Sequence, residues 1–486
     1  MELTNEIRNK YGIVYTPNPL VTKILDLIPQ HYYQNPNLKW LDSGAGNGAF
    51  VLNLYNRLLN DLSASIPNSE TRKTHIIENM ITMCEIYPPH IEKLRTLFSH
   101  KANIIAQDFL TLKLTQSPQS PQFDIIIGNP PYNINGKIKT PTNNNITKNN
   151  DGKQSYVDFV NKSLMLLKPH GLLALIIPTL WMKPDKADLY NTLTTGNFTI
   201  KKLVCLSTSQ TQKEFNYQAQ TPTCYFYGIL NNTQIQEKQE KQEKIQTIQT
   251  IQTIQTIQTI QTIKIYDSCY KNYVDYLIRP HYPIPTHGTS IINKLLYYVD
   301  LVGHLKVYKT NSPPKNSLFS NEATQTNTFH NILTTKLCNK TPLLVNNYSN
   351  CAQAFSNIPK LIMAHKMHGF PYLDSSGHYG LSSRDNYIVS IKDYSLNELQ
   401  QIQAFLSTKT ALFIFSTTNY RMRYLERYAF QFIPAITKLQ NFPKLLGLTL
   451  IEREKLISSF FNFSYIEDNN IAAITNYYHF IDTNTN

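Results

Sequence analysis

Residues 123–133, FDIIIGNPPYN, constrain this chain more than any other stretch. Phe123 to Ile127 is a short apolar run, largely β-branched, that stops at Gly128; it predicts a buried strand of the parallel kind. Asn129-Pro130-Pro131-Tyr132 follows at once. Each proline fixes its own φ and drives the residue before it toward extended backbone, so an amide and an aromatic ring are held stiffly. In open α/β sheets, ligands bind outside the carboxyl ends of strands. Two prolines alone would mark only a turn, but the flanking Asn and Tyr favour a site.

A chain of 486 residues predicts at least two domains and a sizeable core. Its net charge of +13 suits a polyanionic partner, although a composition rich in Asn, Lys, Ile and Tyr also fits an AT-rich genome. No apolar run reaches the roughly 20 residues of a membrane span. The opening MELTNEIRNKYG lacks a signal-peptide core. Cysteines 84, 205, 224, 269, 338 and 351 form no CxxC pair, so neither a zinc site nor a disulfide framework is expected. The expectation is a soluble cytoplasmic chain with no metal and no membrane contact.

Other strand ends surround the first. Tyr15-Thr16-Pro17 precedes a helix marked by Leu20, Ile24, Leu27 and Ile28. In WLDSGAGNGAFVL a short strand ends at Leu41. Asp42 follows, and Gly44, Gly46 and Gly48 form a loop that opens a helix. Such a loop admits close approach of a ligand to backbone N–H groups. It lacks the Lys-Ser/Thr of a phosphate-binding loop and favours a nucleoside with a small charged tail, as in S-adenosylmethionine. Glu85 closes the next strand, where a carboxylate can take ribose hydroxyls. Asp108 and Phe109 close a third, suited to an adenine amine and ring. The polar stretch 133–153 predicts either a loop beside the site with enough positive charge to meet a phosphate backbone, or simple disorder. Later strands are expected at 202–206 and 223–230. Before the last, Phe215-Asn216-Tyr217 offers either a core aromatic or a ring that stacks on an extruded base. Strands alternating with helices predict a doubly wound, mostly parallel α/β sheet.

In this order, Tyr-Thr-Pro, Gly loop, Glu85, Asp108-Phe109 and Asn-Pro-Pro-Tyr resemble the gamma-class N6-adenine DNA methyltransferases of type II restriction–modification systems. The resemblance covers most of residues 10–230 and, more loosely, about 280–440. It implies a Rossmann-like fold binding S-adenosylmethionine and a double-stranded DNA substrate. Thr16 and Pro17 would lie against the cofactor, Asp42, Gly44, Gly46 and Gly48 would wrap its methionine moiety, Glu85 would hold the ribose, and Asp108 and Phe109 the adenine. Asn129, Pro130, Pro131 and Tyr132 would receive the target base, with Phe215 or Tyr217 as a second stacking ring. Asn rather than Ser before the prolines points to adenine over cytosine N4. A separately encoded restriction endonuclease is the implied partner, and a monomer the implied state.

The domains expected are a catalytic one over 1–230, a low-complexity insert over 231–263 and a mixed α+β target-recognition domain over 264–486. Within the insert Gln-Thr-Ile repeats from Gln246 to Ile263, a period of three that matches neither helix nor strand. Whole-codon slippage in a tolerated loop accounts for it. Beyond it, basic residues interleave with aromatics, and Lys366, Arg384, Arg421 and Arg423 are the candidate DNA contacts. Two other readings compete. One is a protein-glutamine N5-methyltransferase, because the same tetrapeptide can orient a side-chain amide; the other is a non-catalytic DNA-binding subunit of a defence complex. The long carboxyl-terminal half weighs against the first, and the intact tetrapeptide and Gly loop against the second. No nuclease motif is found, so methylation without cleavage is expected.

Overall fold

The computed structural model describes residues 4–112, 123–133, 155–185, 187–231, 261–338, 341–365, 370–421 and 425–473. Nearly all of the loop expected over 133–153 and most of the repeat lie outside these residues, as do Lys366 and Arg423.

The first unit comprises Met1–Tyr266 and Asp275–Arg279. Its helices are α1 (Asn5–Tyr11), α2 (Asn18–Leu25), α3 (Ala49–Asp61), α4 (Ser69–His75), α5 (Pro88–Phe98), α6 (Ser155–Leu166), α7 (Leu189–Thr194) and α8 (Thr208–Glu214). Between them run β1 (Trp40–Asp42), β2 (Ile81–Glu85), β3 (Asn103–Ala106), β4 (Phe123–Gly128), β5 (Leu167–Pro178), β6 (Phe198–Leu206) and β7 (Thr223–Leu230). Prolines sit in the first turns of α2 and α5, where a missing N–H costs nothing. Each helix buries one stripe, Leu20, Val21, Ile24 and Leu25 on α2, and His90, Ile91, Leu94 and Phe98 on α5.

With β8 (Thr262–Asp267) and β9 (Asn272–Leu277), these strands form one nine-stranded sheet in the order β3-β2-β1-β4-β5-β7-β6-β8-β9. The run from β3 to β5 is parallel, whereas β7 lies antiparallel to both β5 and β6. The sheet is therefore mixed where a mostly parallel one was expected. Ile125, Ile126 and Ile127 are consecutive and all fully buried, so both faces of β4 are covered. The hairpin β8–β9 follows the shift in composition near residue 264 and yet extends the first sheet.

The second unit, Asp267–Val274 with Pro280–Asn486, is mixed α+β. After α9 (Thr289–Val302) come β10 (Tyr308–Lys309), β11 (Phe319–Ser320), β12 (Phe329–Cys338), β13 (Thr341–Ser349), β14 (Lys360–Ala364), β15 (Tyr372–Asp374), β16 (Gly380–Leu381) and β17 (Asn386–Ser390). They form two four-stranded sheets, β10-β17-β14-β15 and β11-β13-β12-β16. Ile332, Ile362, Leu381 and Ile388, drawn from both sheets, pack into one core cluster. The helical stretch expected over 400–415 is two helices, α10 (Leu396–Leu406) and α11 (Lys409–Ser416), because the Thr408 side chain caps the second. α12 (Leu450–Phe461) and α13 (Tyr465–Ala472) follow, each opened by a capping box. Among the described residues, no helix is long and apolar enough to cross a membrane.

Lys360 and Asp374 are register partners across β14 and β15, and both side chains are buried. Lys360 Nζ stands 2.7 Å from Asp374 Oδ2 and also donates to the Ile358 and Tyr379 carbonyls. Asp374 in turn accepts the N–H groups of His378 and Tyr379, so the pair pins the turn leading to β16. Removing one partner strands a buried charge. Lys360→Met should cost about 3–5 kcal/mol in denaturant unfolding of this unit, and Lys360→Met with Asp374→Leu should recover most of that loss. Equal stability of the single variant and the parent would refute the pairing.

Candidate active site

From β1 the chain proceeds to β2 and β3 on one side, and from β4 to β5 on the other. β1 and β4 are thus neighbours at the point where the winding reverses, and a crevice opens at their carboxyl ends. β1 leads into the Gly loop beside it, β2 delivers Glu85, β3 leads to Asp108, and β4 delivers Asn129. A cleft lies there. Gly44, Gly46, Glu85, Asp108, Phe109 and all four residues Asn129 to Tyr132 line it.

Gly128 makes the join possible. Its φ is +146°, and a Cβ there would lie 3.0 Å from Asp42 Oδ1. Ser43 N–H reaches across to the Ile127 carbonyl at 3.3 Å, tying the Gly loop to β4. Gly12, at φ +65° on the end of α1, likewise lets the following strand-like segment lie against Pro131; a Cβ would meet Pro131 Cβ at 2.8 Å.

That segment orients Asn129. Its Nδ2 donates to Thr16 Oγ1 at 3.0 Å and to the Val14 carbonyl at 3.5 Å. A carbonyl can only accept, so the nitrogen faces Val14 and the oxygen faces away. Asn129 Oδ1 is buried and makes no hydrogen bond among the described residues. Asp42 Oδ2, Ser43 Oγ, His90 Nδ1 and the Tyr132 hydroxyl share that condition. Buried polar atoms are almost always paired, and unpaired ones gathered around a cleft mark a place for ligand atoms.

The carboxylates differ in character. Burial pushes the Asp42 carboxyl up to about 7, against one N–H from Gly44 and reinforced by the charge of Glu85. Burial also pushes on Glu85, but His90 and the N–H groups of Tyr87 and Gly46 outweigh it and hold the group below its ordinary value. Asp108 Oδ1 caps a short turn through Leu110 N–H at 2.9 Å, and the Phe109 ring stacks on Phe159 with centroids 5.1 Å apart.

A family model described as Eco57I restriction-modification methylase matches residues 48–211. That segment is similar to restriction–modification methylase domains. Modification methylase CviBIII of Paramecium bursaria Chlorella virus NC1A is 26% identical over 178 residues, covering 36% of this chain and 40% of that protein. Type II methyltransferase M.BstVI of Geobacillus stearothermophilus is 27% identical over 224 residues, covering 42% and 40%. The chain thus spans about 40% of the length of these curated relatives. Among solved structures, the ATP-dependent Type ISP restriction-modification enzyme LlaBIII bound to DNA superposes with a TM-score of 0.42 at 11% identity, over 78% of this chain and 34% of that one.

The methyl donor of such methylases is S-adenosylmethionine, and the cleft fits it: a Gly loop, strand-end carboxylates and unpaired buried polar atoms meet beside a tethered amide. Thr16, Pro17, Asp42 and Gly48 are not on the cleft wall. Thr16 acts one step back, through Asn129, and Asp42 lies under the β1–β4 join. Phe215 is fully buried, as a core aromatic would be, while Tyr217 is 72% exposed. Arg384 and Arg421 are exposed in the second unit. Tyr15, His90 and Phe159 line the cleft without having been singled out as a site; a lone His among apolar residues on a helix face gives no signal of its own.

Because the folded Asp42 carboxyl holds its proton to about pH 7 and the unfolded one releases it near 3.8, the folded state loses stability as pH rises between these values. Asp42→Asn should remove that slope. Melting temperatures of the two proteins should diverge from pH 4 to pH 7, in favour of the variant, and run parallel above pH 8; parallel curves throughout would refute the buried acid.

Proposed function

We propose that this chain is an adenine-specific DNA methyltransferase, the modification enzyme of a type II restriction–modification system paired with a separately encoded endonuclease. Its target is N6 of an adenine turned out of duplex DNA. One observation carries the reading: Asn129 Oδ1 is a buried, unspent acceptor held by its own tethered nitrogen at the edge of the cleft.

An exocyclic amine on a purine is a weak nucleophile because its lone pair is delocalised into the ring. Asn129 Oδ1 and the Pro130 carbonyl accept its two hydrogens, which draws the nitrogen toward tetrahedral geometry and frees the pair. Both acceptors are fixed before substrate arrives, so no reorganisation is needed at the moment of reaction. Pro131 keeps the backbone of the pair stiff. S-adenosylmethionine, when bound, supplies an electrophilic methyl group on a sulfonium centre. Gly44, Gly46, Glu85, Asp108 and Phe109 would hold it. Tyr132 stands edge-on to Tyr156, with ring centroids 6.4 Å apart, and covers one face of the extruded base, offsetting part of an unstacking cost of a few kcal/mol. Tyr217, with its ring exposed, is our candidate for the other face. Neither acceptor takes up the proton, which leaves to water after transfer. Arg384 and Arg421 of the second unit would contact the DNA.

Purified protein incubated with DNA and methyl-labelled S-adenosylmethionine should yield N6-methyladenine on nucleoside mass spectrometry. Labelled cytosine, or no labelled base, would overturn the assignment. Asn129→Ala should lower kcat by about 100-fold or more, the scale seen for loss of one preorganised group, and leave S-adenosylhomocysteine affinity within a few fold.

A further inference from the structure

His90 sits in the first turn of α5, 5% exposed, on the same cleft wall as Glu85. Its Nε2 stands 2.9 Å from the Tyr15 hydroxyl. Its Nδ1 faces Glu85 Oε2 at 3.7 Å and hydrogen-bonds to nothing among the described residues. The neighbours decide which nitrogen carries the proton. Glu85 is anionic, so the nitrogen turned toward it is Nδ1–H. Nε2 is then an acceptor, and the Tyr15 phenol donates to it.

Glu85 has limited capacity left. Oε1 already accepts from Ile86 N–H at 2.9 Å and Tyr87 N–H at 2.7 Å, and Oε2 accepts from Gly46 N–H at 2.7 Å. One lone pair of Oε2 remains. On the cleft wall there is therefore an unspent donor and an unspent acceptor 3.7 Å apart. That is too far for a hydrogen bond between them, yet both can reach one oxygen at about 2.8 Å. A hydroxyl is the group that serves both, because it donates once and accepts as well.

Resting on the cofactor reading above, we propose that His90 is a specificity residue for the ribose of the cofactor: one ribose hydroxyl donates to Glu85 Oε2 and accepts from His90 Nδ1–H, with Tyr15 fixing the tautomer that allows this. Tyr15 belongs to the segment that tethers Asn129 through Thr16, so the ribose contact and the base contact share one support.

The test is calorimetric binding of S-adenosylhomocysteine and its 2′-deoxy and 3′-deoxy analogues to the full chain. His90→Ala should weaken the parent ligand about tenfold, the effect of one hydrogen bond to a charged or polar pair. For the analogue lacking the hydroxyl that is read, the same substitution should cost less than about twofold, because the contact is already gone. An Asn amide reaches where Nδ1 stands and a Gln amide reaches where Nε2 stands, so His90→Asn should retain affinity and His90→Gln should not. Should the Ala variant fail to fold, the Asn and Gln pair decides. Unchanged binding by His90→Ala, an equal penalty on all three ligands, or rescue by Gln instead of Asn would overturn the role of His90 while leaving the cofactor reading intact. Failure of the unmodified chain to bind S-adenosylhomocysteine would sink both.

Discussion

One three-residue alignment holds the site together: Trp40, Leu41 and Asp42 of β1 pair in parallel with Ile125, Ile126 and Ile127 of β4. The Gly loop leaves the sheet from β1, Glu85 closes β2 beside it, and Asn129 to Tyr132 follow β4. β1 is short, and its side chains are fully buried, so its position depends on flanking strands and not on its own length. Above the pairing, the Asp42 carboxyl lies against Gly128, and no side chain fits between them. The Gly loop and the Asn-Pro-Pro-Tyr turn are thereby two lips of one opening. A shift of either strand by one residue would separate the Gly loop from the Asn-Pro-Pro-Tyr turn.

The cleft carries an energetic burden that its surroundings must offset. A buried polar atom left without a partner costs roughly 1–3 kcal/mol, and five such atoms gather around this one region. The sheet that surrounds them is apolar through consecutive residues, from Ile125 to Ile127 and Leu172 to Ile177, each fully buried. Stability is concentrated in the strands and spent at their ends. Polar groups oriented before a ligand arrives are worth more to a reaction than groups that must first turn away from water.

Much of this was legible in the sequence because strand ends are punctuated. Glycine after Asp42, Pro-Pro after Asn129 and acids closing two other strands each leave a local signature, and the described structure brings Glu85, Asp108, Phe109 and Asn129 to one cleft. What escaped depends on distance along the chain. Thr16 reads as a residue near the cofactor, but its hydroxyl supports an amide 113 positions later. His90 falls on the buried stripe of α5 and looks like any core residue until Tyr15 and Glu85 are seen on either side of it. Phe215 and Tyr217 stand two apart in a loop, where no periodicity tells inside from outside; the structure buries one and exposes the other. The β8–β9 hairpin was hidden for a further reason: composition changes at the repeat, whereas the sheet continues past it.

The two ends of that repeat insert are anchored side by side. Asn231 N–H bonds to the Asn197 carbonyl, and the Gln261 side chain bonds to the carbonyl of the next residue, Phe198. β7 and β8 flank β6 in the sheet, so these ends lie about two strand spacings, roughly 10 Å, apart. Four extended residues would cover that gap, far fewer than residues 231–261 provide. The geometry of the sheet is therefore indifferent to how many Gln-Thr-Ile units the gene carries. Even doubling the connection would cost only about 0.6 kcal/mol of closure entropy. Such a locus can drift in copy number between close relatives while the methylase domain beside it stays the same.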